Sequence, residues 1–203
     1  MNVYMQSPPV VKNLVIANCV IFLATYLIQP FNQLMSTYFE LYWFGAPNFH
    51  SYQFITYMFL HGSFSHLFFN MYALWMFGRV IEYDLGSRRF LIYYIVCGIG
   101  AALLQLGVAA LAHEYYIRLI GASGAVMGLL LAFGVMHPNE RLFVIPFPVP
   151  IKAKWFVVGY ALIELFLGSS GLNSQVAHFA HVGGMLWGLA LLFYWRRQRK
   201  IFF

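Results

Sequence analysis

The stretch GASGAVMG, residues 121–128, sets one serine among three glycines and two alanines at the head of an apolar run that continues to about residue 136. In the first turn of a helix, that serine lies beside free backbone N–H groups and the positive end of the helix dipole. Such a setting suits a developing oxyanion. Gly121, just before it, permits a backbone conformation that other residues rarely adopt. Gly124 and Gly128 form a GxxxG pair, the spacing at which helix backbones approach closely in a membrane. The stretch is not the GxSxG turn of soluble hydrolases, because Ala125 stands in place of the last glycine. Taken alone, it reads equally well as a packing face with the serine as polar glue.

A second face of the same kind lies in AHVGGMLWG, residues 180–188. Gly184 and Gly188 repeat the GxxxG spacing, Ala180 extends the row one turn upward, and His181 stands at its head. The two faces predict that the helices of Ser123 and His181 meet and bring imidazole to hydroxyl. Gly134, deeper on the serine helix and off the row, is expected to be less constrained.

Composition places these helices in a bilayer. The 203 residues are 62% hydrophobic and 9% charged, with mean hydropathy +0.71, where a soluble domain is about a quarter charged. The net charge of +6 does not indicate nucleic acid, since the basic residues sit at the ends of apolar runs and form no separate basic domain. Cys19 and Cys97 fall inside apolar runs and read as small core residues rather than a disulfide framework. The first apolar run lacks a convincing signal-cleavage site and reads as a transmembrane helix.

Six apolar segments follow one another at about 13–29, 64–81, 90–112, 122–136, 154–168 and 177–195. The breaks between the later ones are EYDLGSRR (82–89), a charged turn; HPNERLFVIPFPVPIKAK (137–154), Pro-rich and basic; and GSSGLNSQ (168–175), a mobile lid or an ordinary flexible turn. The expected fold is an all-α polytopic bundle of six transmembrane helices, one domain over 1–203 with a short segment 1–12 before it spans and a basic tail 196–203. Six spans put both termini on one side together with Lys12, Arg79, Arg88, Arg89, Arg141, Lys152, Lys154, Arg196, Arg197, Arg199 and Lys200, leaving only Arg118 on the other. That bias marks the shared side as cytoplasmic. The aromatic segment 30–63, with Tyr42, Trp43, Phe44 and Phe49, is expected to lie in the outer membrane interface.

Polar residues inside a membrane face a cavity or one another. His61, His66 and Asn70 open the second segment, Ser123 the fourth, and His178 and His181 the sixth; Glu164 lies in the fifth. Measured from the cytoplasmic helix ends at about 1.5 Å per residue, His66 and Ser123 lie about 20 Å up and His181 about 22 Å. Against a hydrocarbon core of about 30 Å, all three share one level near the outer edge.

With these residues assembled, the chain resembles the rhomboid intramembrane serine proteases. GASG (121–124) is similar to the family's GxSG motif, AHVGGMLWG to its AHxxGxxxG motif, and HGSFSHLFFN (61–70) to its second-helix signature of two histidines and an asparagine. The resemblance runs from about 13 to 195. It implies a serine-type endopeptidase with Ser123 as nucleophile and His181 as general base. His66, Asn70 and the Ser123 backbone N–H would form the oxyanion hole, and His61 would support a water-accessible cavity. It implies substrates that are single-pass membrane proteins, cut near the outer face with a small residue before the cut, and a bacterial inner membrane as the location. No metal or cofactor is required. Two positions depart from the pattern: Tyr52-Gln53 stands near a frequent Trp-Arg, and Met127 where some members carry an aromatic residue.

No acidic third member is evident, since the only aspartate, Asp84, falls on the cytoplasmic side, so the expectation is a Ser–His dyad. Glu164 reads as a hydrated or snorkelling carboxylate near its helix end, and His178 as a structural or cavity-lining histidine. Two other readings stay open. One is a catalytically weak rhomboid-like protein that binds transmembrane helices. The other is a metal- or haem-binding membrane protein using His61, His66, His178 and His181, which would leave GASG unexplained.

Overall fold

The computed structural model describes residues 8–144, 147–170 and 177–198, and the chain is mostly helical. Helix α1 (Pro9–Leu27) leads directly into the short α2 (Gln29–Tyr38). A single turn α3 (Gln53–Thr56) precedes α4 (Phe64–Ala73), which runs through a π-helical turn (Leu74–Gly78) into α5 (Arg79–Leu85). Then come α6 (Ser87–Leu111), α7 (Ser123–Met136), α8 (Ala153–Ser170) and α9 (His178–Arg197). Among the described residues α1 and α6 are long and apolar enough to cross a membrane, and α7 is a shorter apolar helix. The glycine-rich connection GSSGLNSQ lies largely outside the described residues.

The centre of the molecule is the packing of α9 against α6 and α7. Small residues make it possible. A Cβ on Gly184 would fall on the carbonyl oxygen of Gly124, and one on Gly128 would meet Cys97 Sγ and lie 3.1 Å from the Gly184 carbonyl oxygen. The α7 and α9 backbones are therefore in direct contact at Gly124 and Gly184. The row does not continue as its spacing predicts: Gly188 faces the Tyr93 hydroxyl and Cys97 of α6, not α7. The helices cross, so two facing rows stay together for only about a turn, and α6 fills the wedge below. Tyr93 then closes the gap by donating from its hydroxyl to the Gly128 carbonyl at 2.8 Å. Gly134 is also tighter than expected, since a Cβ there would lie 2.6 Å from Val157 Cγ2 of α8.

The connections hold more structure than an all-α reading allows. Leu41–Tyr42 (β1) pairs antiparallel with Arg118–Leu119 (β2), joining the first long connection to the approach to α7. The Pro-rich break forms a hairpin, Arg141–Val144 (β3) against Phe147–Lys152 (β4). Isolated two-stranded edges tolerate Pro148 and Pro150, which would break an inner strand.

The expected charged turn at 82–89 also differs. Glu82 is buried and accepts from the Val10 and Val11 backbone N–H groups at 3.0 and 2.8 Å and from the Ser87 hydroxyl at 2.6 Å. It thus caps the first turn of α1, whose N–H groups have no intrahelical partners, while Gly86 at φ 75° makes the turn into α6.

In the aromatic connection, Trp43 is buried and its ring lies 3.9 Å from Phe44 and 5.0 Å from Tyr115. Gln53 is fully buried, donating from Nε2 to the Tyr38 and Asn48 carbonyls at 3.0 and 2.8 Å and accepting from the His50 N–H at 3.2 Å. A neutral amide therefore ties down this connection, and Tyr52 stacks on His50.

Candidate active site

Three local devices bring the polar side chains to one end of the bundle. Gly121 has φ 111°, and its N–H donates to the Tyr57 carbonyl at 2.9 Å, which turns the chain sharply into α7. Only glycine fits, both for the dihedral and because a Cβ would lie 2.6 Å from His66 Nε2. Ser63 is the N-cap of α4, its hydroxyl accepting from the His66 N–H at 3.1 Å, so His66 stands in the first turn of that helix. On α9, which has no side-chain cap of its own, Gln105 of α6 accepts from the Ala180 N–H at 3.0 Å through Oε1.

The result joins residues 58 positions apart: Ser123 Oγ and His181 Nε2 are 2.9 Å from each other. Ser123 is half-buried at the start of α7 and His181 is buried. The hydroxyl thus has a base within proton-transfer distance, and the free N–H groups of the α7 first turn lie beside it. His66 is half-buried against Gly121, immediately before the serine turn. Asn70, buried one turn further along α4, donates from Nδ2 to the His66 carbonyl at 2.9 Å, which leaves its second amide hydrogen uncommitted.

His61 packs edge-on against His66 with ring centroids 4.9 Å apart. It lines a cavity of about 430 Å³ together with Thr25, Asn32, Ser36, Glu40 and Ser63. This polar lining suits water. Glu40, in the cavity lining, lies 3.6 Å from Arg118; burial raises its carboxyl pKa, and the guanidinium opposes that shift.

A family for this arrangement follows from comparison with known proteins: residues 48–198 match the rhomboid domain. The chain belongs to the rhomboid family. It is 31% identical over 152 residues to Rhomboid protein 1, mitochondrial, of Saccharomyces cerevisiae, covering 70% of this chain and 43% of that protein. The putative rhomboid protease YdcA of Bacillus subtilis is 30% identical over 151 residues, 73% of this chain and 69% of its own length. The rhomboid protease AarA of Providencia stuartii is 34% identical over 145 residues, covering 64% and 51%. The chain spans less than half the length of the mitochondrial relatives it matches. Membership of this family, with the two long apolar helices, points to an integral membrane protein.

The rhomboid fold seen here corrects one reading and extends another. Glu164 is not a hydrated carboxylate near a helix end; it is 4% exposed and turned into the bundle. Its Oε2 lies 2.7 Å from His178 Nδ1 and 3.0 Å from His181 Nδ1. The reason is that α8 packs on α9, so a carboxylate pointing away from lipid meets the two imidazoles of α9. His178 is buried in the bundle against the same carboxylate. The sequence carried a signal for this, an unpaired glutamate within an apolar helix, but depth along a helix says nothing about which way a side chain faces.

Proposed function

We propose that this rhomboid is an intramembrane serine endopeptidase that cleaves single-pass membrane proteins near the outer face. The observation that carries the reading is the 2.9 Å approach of Ser123 Oγ to His181 Nε2 at the N-terminal end of a helix. Ser123 Oγ attacks the scissile carbonyl carbon while His181 Nε2 takes the hydroxyl proton. His181 then gives that proton to the leaving amine as the C–N bond breaks. Water opens the acyl-enzyme in the same way, its proton passing to Nε2 and on to Ser123 Oγ. A base so placed contributes about 10²- to 10⁴-fold. The Ser123 backbone N–H, His66 and Asn70 are the donors to the developing oxyanion.

A substrate helix must open before its peptide bond can be attacked, so segments with Gly or Pro near the outer end are the expected targets. The chain forms one domain with six spans, α4 to α5 counting as one, and both termini in the cytoplasm of a bacterial cell. Large exposed apolar side chains on α1, α4 and α8, among them Leu23, Phe64, Phe68, Trp155 and Leu162, support lipid contact around the bundle. The lysine and arginine bias supports the orientation.

The reading is tested by labelling the detergent-purified protein with a fluorophosphonate. Wild type takes up the label and Ser123→Ala does not; label on both, or on neither, rejects it. A rhomboid-like helix-binding protein without activity has no use for the Ser123–His181 pair and would give no label. A metal-binding reading has one observation in its favour: Glu164, His178 and His181 offer ligand atoms within 4.8 Å of one another, a set that differs from the four histidines of the sequence. It leaves the Ser123 contact without a role. Bound metal after purification, with cleavage lost to a chelator, would establish it.

A further inference from the structure

We infer that Glu164 is the positioning residue of His181, making the working unit a Ser–His–Glu triad rather than a dyad; this rests on the serine-protease reading above. The geometry has three parts. First, Glu164 Oε2 is 3.0 Å from His181 Nδ1, on the opposite side of the ring from Nε2, which is 2.9 Å from Ser123 Oγ. Serine, imidazole and carboxylate therefore stand in series. Second, the carboxylate is itself held, by His178 Nδ1 at 2.7 Å. Third, His181 Nδ1 is buried and makes no aligned hydrogen bond among the described residues, and the Glu164 carboxylate stands 3.0 Å from it.

A buried N–H with no acceptor is costly, and among the described residues Glu164 offers a carboxylate oxygen 3.0 Å away. Catalytic contacts that are poorly aligned in an empty site tighten in the complex. With its proton on Nδ1 facing the carboxylate, His181 must present the bare lone pair of Nε2 to the serine, the tautomer that a general base needs. When Nε2 takes the Ser123 proton, the imidazolium forms against a carboxylate in a place shielded from water. Glu164 neither gains nor loses a proton. The proton goes from Oγ to Nε2 and on to the leaving nitrogen.

The experiment measures kcat and KM for a transmembrane substrate, with thermal unfolding in detergent, for wild type, Ser123→Ala, Glu164→Gln and Glu164→Asp. Loss of the orienting carboxylate from a serine triad costs on the order of 10⁴-fold in kcat. Because the contact here is not yet aligned, Glu164→Gln is expected to lose about 10²-fold or more in kcat, with KM within twofold of wild type. Glu164→Asp should fall between Glu164→Gln and wild type. A folded Glu164→Gln with kcat within threefold of wild type overturns the inference. Should Glu164→Gln fail to fold, Glu164→Asp decides: a tenfold or greater fall in kcat at unchanged KM supports positioning. An unchanged kcat with a lower melting temperature marks a structural pin between α8 and α9 and overturns it. Cleavage retained by Ser123→Ala would instead reject the protease reading itself, so the two failures are distinguishable.

Discussion

His66 and Asn70 differ in how free their donors are. His66 Nε2 stands against the bare α-carbon of Gly121, whereas Asn70 has already spent one amide hydrogen on the His66 carbonyl. If both serve the oxyanion, each makes its contact chiefly in the transition state. Removal should then lower kcat and leave KM almost unchanged. His66→Ala and Asn70→Ala are each expected to cost about 10²- to 10³-fold in kcat. Steady-state kinetics on a transmembrane substrate checks this, and wild-type kcat with a raised KM would make both residues substrate contacts instead. These two, with Ser123 and His181, could be picked out from the sequence because polar residues in apolar helices are rare and have reason to be there. Glu164 obeyed the same rule, but the direction of its side chain depends on which helix packs beside α8.

At the scale of the element, the contact of α7 with α9 rests on two glycines. Gly184 leaves no room for a Cβ, because the Gly124 carbonyl occupies that place. A valine would have to push the backbones apart, and the reacting pair at the top of the same helices would separate with them. A displacement of about 1 Å can cost on the order of 10²-fold in rate. Gly184→Val is expected to abolish nearly all cleavage while Ser123 and His181 remain present. Gly159, on α8, has open space where its Cβ would be, so Gly159→Val should keep most of the activity. Cleavage assays paired with thermal unfolding in detergent test both; a folded, fully active Gly184→Val would show that this contact does not set the distance between serine and histidine. The spacing of the glycines was legible in the sequence. That Gly188 turns to Tyr93 and Cys97 of α6 was not, because a crossing angle is a property of two helices and a GxxxG spacing belongs to one.

For the whole molecule, orientation in the membrane is the outstanding expectation. Reporter fusions after residues 86 and 203 should report the cytoplasm and a fusion at 115 the outside; an outside signal at 203 would reject the six-span topology. The membrane class, the places of the long helices and the serine and histidines near one end were determined by the sequence alone. Each follows from hydropathy and from distance counted along a helix, and both are local quantities. Only the tertiary structure decided the rest: Glu82 as the cap of α1, Gln53 as the anchor of the aromatic connection, the two short ladders, and Glu164 behind His181. The longest of these contacts join segments far apart in the chain, as when the carboxylate at 82 reaches the N–H groups of residues 10 and 11. A buried polar group must find a partner wherever packing supplies one, and the sequence records the need without recording the partner.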